Sequence, residues 1–161
     1  AYARGGIDLT VSGQDFEVAA GDYTCRFTGE VTGDAATTAG TVRDADTLLC
    51  PAPVWAFPGQ GAALEVLKAS DRIFYVEEQT RNLTFPILAG WDWLSPAADP
   101  APASGGAALA FAGFGLDPAA QYLCVFTRGP LENASSPGTA PSSTELGCGA
   151  PAWGANLTAD G

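Results

Sequence analysis

Residues 23–29 read YTCRFTG, and residues 122–129 read YLCVFTRG. In the first copy Tyr23, Cys25 and Phe27 alternate with Thr24, Arg26 and Thr28, the two-residue period of a half-buried β-strand. The second copy keeps Tyr122, Cys124, Phe126 and Thr127, all 99 positions on. A phrase repeated that far along a 161-residue chain asks first whether the whole chain is duplicated.

Three further segments answer. Gly5-Gly6 followed by IDLTVSG matches Gly105-Gly106 followed by AALAFAG at an offset of 100, so Leu9, Val11 and Gly13 fall on Leu109, Phe111 and Gly113. LLCPAPVW at 48–55 matches LGCGAPAW at 146–153 at an offset of 98, which sets Cys50 on Cys148 and Trp55 on Trp153. The chain is a tandem duplication. The segments IDLTV, TLLC, ALEVL and IFYVE read as further short strands, separated by clusters of Gly, Pro, Ser, Thr and Asp. Residues 63–70 hold the best helical alternative, ALEVLKAS, but it is short and follows a Gly-rich turn. The fold class is therefore all-β, two tandem β-sandwiches expected over residues 1–80 and 81–161.

Composition narrows the function classes. Hydrophobic residues make up 47% of the chain, enough for packed cores, whereas charged residues are only 16%, against roughly 25% in ordinary soluble domains. A net charge of −11, with no basic cluster, argues against a nucleic-acid partner. No stretch of apolar residues is long enough to span a membrane, and AYARGGIDLT lacks the apolar core of a signal peptide. A processed chain, or an excerpt of a longer one, would look like this. With no His, neither a Ser-His-Asp nor a Cys-His arrangement can be built. Paired carboxylates such as Asp44/Asp46 and Glu77/Glu78 read as solvated charges, so no catalytic residue and no cofactor is expected. Asp15, Asp22 and Asp34 are candidate Ca²⁺ ligands, but their spacing matches no loop motif.

The four cysteines allow three pairings. The duplication favours one pair per unit, Cys25 with Cys50 and Cys124 with Cys148. The rival metal site lacks His and any close Cys-x-x-Cys spacing. A disulfide closing about 25 residues stabilises by roughly 3 kcal/mol in the chain-entropy picture, and implies an oxidising compartment.

Together, the Gly-Gly pair before an alternating strand, the Y-x-C-x-F strand and the later L-x-C-x-A-P (Leu48–Pro53, Leu146–Pro151) resemble the IPT/TIG family of immunoglobulin-like domains. That family is found in plexins, growth-factor receptors and microbial surface proteins. The resemblance implies a β-sandwich with each Cys pair bridged, and leaves function open. By the same pattern both units look incomplete. Only AYAR precedes Gly5, so the first unit lacks its opening strand. The second has a long lead-in, LTFPILAGWDWLSPAADPAPAS, but only GANLTADG after Trp153. A sandwich with a missing edge strand presents unpaired backbone to another chain.

Three sequons, at Asn82, Asn133 and Asn156, point to N-linked glycans; Asn133 lies in LENASSPGTAPSS, which reads as a loop. Pro- and Ala-rich SPAADPAPAS reads as a stiff lead-in, or as a target of Pro- and Ser-linked glycosylation together with SSPGTAPSST. Trp91 and Trp93 flank Asp92 and on a regular strand would share one face, for an interface or for stacking on sugars. Thr24 and Arg26 of the first copy become Leu123 and Val125 in the second, an apolar outer face that predicts a covering partner or glycan.

The expected function is a structural building block of an extracellular or cell-surface glycoprotein array or filament, self-associating head to tail. The alternative is a ligand-binding ectodomain, receptor-like or carbohydrate-binding through Trp91 and Trp93.

Overall fold

The structure is a computed structural model that describes residues 1–17, 23–68, 71–72, 84–94, 103–128 and 132–152. The chain divides into two compact units, Ala1–Leu88 and Ala89–Gly161. Every regular element among the described residues is a β-strand.

Unit 1 opens with β1 (Asp8–Ser12) and β2 (Tyr23–Gly29), followed by β3 (Ala35–Ala39), β4 (Thr41–Asp44) and β5 (Thr47–Pro51). It closes with β6 (Gly61–Lys68), β7 (Asp71–Arg72) and β8 (Thr84–Pro86). One sheet runs β1-β5-β4; the other runs β3-β2-β6, with β7 and β8 both paired to β6. The alternation read in YTCRFTG is realised, since Tyr23, Cys25, Phe27 and Gly29 are buried and Arg26 is exposed. The strand expected at ALEVL lies within β6, which pairs with β2 from Tyr23↔Lys68 to Gly29↔Ala62. Its apolar residues satisfy a sheet because β2 offers a full-length partner. The strand expected at IFYVE lies outside the described residues.

The Cys25–Cys50 bridge joins β2 in one sheet to β5 in the other, so it pins the two layers together. Around it lie Phe27, Leu48 and Trp55, all essentially inaccessible to water. Burying side chains of this size stabilises by about 1.5–3 kcal/mol each. The Trp55 indole N–H donates to the Pro58 carbonyl at 3.0 Å, so the one polar atom of that ring is satisfied.

Unit 1 reaches Leu88 rather than ending at residue 80. Phe85 on β8 meets Phe27 edge to face at 5.8 Å, and Ile87 is buried at 4% exposure. The Ile87 N–H donates to the Gln60 carbonyl at 2.8 Å, and Leu88 forms a parallel bridge with Tyr2. Part of the expected lead-in to the second unit is thus the last strand of the first.

Unit 2 contains β9 (Gly90–Leu94), β10 (Ala108–Phe114), β11 (Tyr122–Arg128), β12 (Glu132–Ser142) and β13 (Glu145–Gly149). They follow the order β11-β12-β13-β10-β9. The equivalents of β3 and β4 are fused here: β12 pairs with β11 over 132–138 and with β13 from Gly138 onward. LENASSPGTAPSS is therefore largely strand, not loop. Its Pro, Ser and Gly content reads as loop, but a strand that passes from one partner to the other needs a small residue at the crossing. A Cβ on Gly138 would lie 2.7 Å from Cys124 Sγ, and one on Gly40 3.1 Å from Cys25 Sγ. The Cys124–Cys148 bridge is formed, as in the first unit.

The repeated Gly pairs are explained by what faces them. Gly5 and Gly105 have φ of +73° and +77°, which favours glycine. A Cβ on Gly5 would sit 2.9 Å from the carbonyl oxygens of Ala52 and Pro53, and one on Gly105 2.6 Å from Ala152 N. The Gly-Gly and Ala-Pro segments of the repeat are thus two sides of one close backbone contact. The change of offset from 100 to 99 also has a place. The N–H of Glu17 donates to the Tyr23 hydroxyl at 3.0 Å, and that of Asp117 to the Tyr122 hydroxyl at 2.7 Å. The same contact is kept across an intervening loop one residue shorter.

Candidate interaction surfaces

Superimposing the two units through the repeat shows what each has that the other lacks. In unit 2, β9 pairs with the edge of β10 that faces away from β13. The matching edge of β1 in unit 1 has no strand among the described residues; β1 pairs only with β5. In unit 1, β6 lies along β2. The matching edge of β11 in unit 2 has no strand among the described residues; β11 pairs only with β12.

Burial follows the same pattern. Tyr23 and Phe27 are 4% and 0% exposed, whereas their counterparts Tyr122 and Phe126 are only half-buried. Phe85 from β8 meets Phe27 edge to face, and unit 2 has no strand equivalent to β8 among the described residues. A polar atom is affected too. Thr38 Oγ1 donates to the Pro51 carbonyl at 2.7 Å, while its counterpart Ser136 has a buried Oγ with no hydrogen-bond partner. Such a group is costly until something satisfies it. Beside it, Gln121, Tyr122, Leu123, Ser135, Ser136 and Pro137 line an open groove of about 470 Å³.

On the outer face of β11, Leu123 and Val125 are 68% and 58% exposed. The register puts Pro137 opposite Leu123, Ser135 opposite Val125 and Asn133 opposite Thr127. Asn133 is exposed. Asn82 and Asn156 lie outside the described residues, as do SPAADPAPAS over 95–102 and Trp153.

Trp91 is 60% exposed and meets Phe111 edge to face at 5.5 Å. The β9–β10 register shifts here: Trp91 partners Gly113 and Trp93 partners Ala112, so Asp92 is the extra residue of a bulge. The regular alternation from which a shared Trp face was expected is interrupted at that point. A β-bulge is not visible in an isolated x-W-D-W-x sequence; only the partner strand reveals it.

Among the described residues no three His, Cys, Asp or Glu side chains converge as a metal site. Asp15 sits at φ +57° in the turn after β1, a conformation Asp tolerates. Asp22 lies outside the described residues. Asp44, fully exposed in the β4–β5 turn, has its carboxyl held below the usual range by a hydrogen bond from the Thr47 side chain, then by the Asp46 backbone N–H. That turn is structural. No helix among the described residues is long and apolar enough to cross a membrane.

No protein-family profile matches the sequence. No curated protein matches it either. Among solved structures the chain is similar to the full extracellular region of plexin A4, domains 1 to 10, at 18% identity and a TM-score of 0.40. That alignment covers 98% of this chain and 12% of the plexin chain. Independently of it, all four cysteines are bridged, which fits an oxidising compartment.

Proposed function

We propose that the chain is a building block of an extracellular or cell-surface glycoprotein array or filament, made of two IPT/TIG-like sandwiches and joined head to tail by strand complementation. The observation that carries this reading is the half-exposed Phe126 beside the edge of β11 on which no strand pairs among the described residues. Its counterpart Phe27 is closed by β6 and β8, so a strand arriving at β11 would bury one more aromatic ring and satisfy a row of backbone groups. Burying the part of that ring still exposed adds about 1 kcal/mol to the backbone pairing, roughly half of what full burial gives. The edge of β1 that lacks a partner among the described residues supplies a second, different contact. Two unlike contacts on one molecule build an open chain rather than a closed dimer.

The work such a block does is mechanical. Disulfides that pin strand to strand make stiff units, and glycans supply a surface that so few charges cannot. Trp91 supports the second reading, a carbohydrate-binding ectodomain, because an exposed indole can stack on a sugar face. Electron microscopy and sedimentation of the native material separate the two. Linear polymers that dissociate into single chains support the building block. Monodisperse monomers that bind a soluble sugar or protein contradict it.

A further inference from the structure

The apolar strip Leu123–Val125 requires an occupant, and the register of β11 and β12 supplies one from the same face. Along the part of β12 that pairs with β11 the exposed positions are Asn133, Ser135 and Pro137; along β11 they are Leu123, Val125 and Thr127. All six lie on one side of the sheet, because directly paired residues share a face. Asn133-Ala134-Ser135 is a glycosylation sequon, and its Ser135 is directly opposite Val125. Asn133 itself is diagonal to Val125, which puts the two about 7–8 Å apart. Leu123 and Pro137 follow, four residues further along, at roughly 13 Å. Beyond them opens the groove lined by Leu123, Ser135 and Pro137.

The first unit acts as an internal control. Its outer face carries Ala35 opposite Thr28, Thr37 opposite Arg26 and Ala39 opposite Thr24. Thus Asn133 corresponds to Ala35, Val125 to Arg26, Leu123 to Thr24 and Pro137 to Ala39. Where the sequon is absent, the central strand presents Thr24 and Arg26; where it is present, the matching positions are Leu123 and Val125. The acceptor and the apolar strip change together between two copies of one framework.

From this juxtaposition we infer that Asn133 carries an N-linked glycan whose first two N-acetylglucosamine rings lie back along β11 and β12, covering Val125, Leu123 and Pro137. The attachment is an N-glycosidic bond: Asn133 Nδ2 bonds to C1 of the first N-acetylglucosamine of a glycan diphosphate donor, the C1–O bond to the donor's phosphate breaks, the diphosphate leaves with the electron pair, and Nδ2 gives up one proton. The CH-rich face of each ring meets the aliphatic side chains, and its hydroxyls and acetamide face water. A glycan held down in this way removes an exposed apolar patch that would otherwise invite association. The strip is thereby assigned to the protein's own sugar and not to a lateral contact. The inference rests on the reading of the chain as an extracellular glycoprotein, but does not depend on its forming polymers.

The test is a double-mutant cycle on the full chain, secreted from a eukaryotic host and kept dilute enough to remain monomeric. Asn133→Gln is compared with the wild type, and the same change is repeated in a Leu123→Thr/Val125→Arg background. Intact mass reports occupancy; binding of an apolar-surface dye and the thermal midpoint report coverage. Loss of the glycan from the wild type is expected to raise dye binding severalfold and lower the midpoint by about 4 °C. In the polar background both effects should vanish. An unoccupied Asn133 overturns the inference, as does a glycan whose removal has equal effects in both backgrounds. Dye binding by the dilute, monomeric, fully glycosylated wild type equal to that of Asn133→Gln would show the strip uncovered with the glycan in place and would also overturn it. None of these outcomes bears on whether β11 accepts a strand, so failure here is distinguishable from failure of the assembly reading.

Discussion

Gly5 and Gly6 are adjacent, both left-handed, and differ in one respect that an experiment can separate. Their φ angles are +73° and +82°. A methyl on Gly6 meets nothing within 4 Å, whereas one on Gly5 would lie 2.9 Å from both Ala52 O and Pro53 O. Gly6→Ala therefore carries the conformational cost alone, about 1–2 kcal/mol. Gly5→Ala adds an overlap with backbone that has no flexible end to swing away, of the order of 1–3 kcal/mol. The expected totals are about 1–2 kcal/mol for Gly6→Ala and about 2–5 kcal/mol for Gly5→Ala. Unfolding of unit 1 in denaturant can be followed through the fluorescence of buried Trp55, with hydrogen exchange in β5 assigning the transition to that unit. Equal losses for the two variants, or a larger loss at Gly6, would refute the claim that the Gly-Gly and Ala-Pro segments are one close contact.

Three other outcomes are expected. Replacing Cys25 and Cys50 together by Ala should destabilise unit 1 by about 3 kcal/mol, measured by the same denaturant titration, because the bridge closes a separation of 25 residues. Phe85→Ala should cost about 2–3 kcal/mol, somewhat less than for a fully buried ring, and should raise hydrogen exchange in β2 around Phe27. The Asp44 carboxyl should titrate below the ordinary carboxylate value in an NMR pH series and move up towards it in Thr47→Val. Since its folded value is depressed, its contribution to the β4–β5 turn is present above the unfolded value and is lost as pH falls through the folded one.

Much of this fold was legible because the duplication allowed each residue to be read twice. Tyr23/Tyr122, Cys25/Cys124 and Cys50/Cys148 were marked as framework by recurring at matched positions. What escaped was information held by partner strands. Thr84–Pro86 looks like a lead-in until β6 is seen beside it. Asn133–Ser142 looks like a loop until β11 and β13 are seen on its two halves. The bulge at Asp92 is likewise defined by β10. One signal was available and went unread. Gly40-Thr41 and Gly138-Thr139 recur at an offset of 98, and both glycines pack against disulfide sulfur. Of the candidate surfaces, Leu123 and Val125 were visible as an inter-copy difference. Their alignment with Asn133 needed the register.

Strand complementation at β11 is the central claim, and a cryo-electron microscopy map of the native assembly, resolved to the backbone, tests it most directly. The account predicts a strand from a neighbouring chain paired along the free edge of β11 and closing over Phe126, in the place β6 and β8 take at Phe27. A polymer whose β11 edge faces solvent, or material in which no polymer exists, would contradict it.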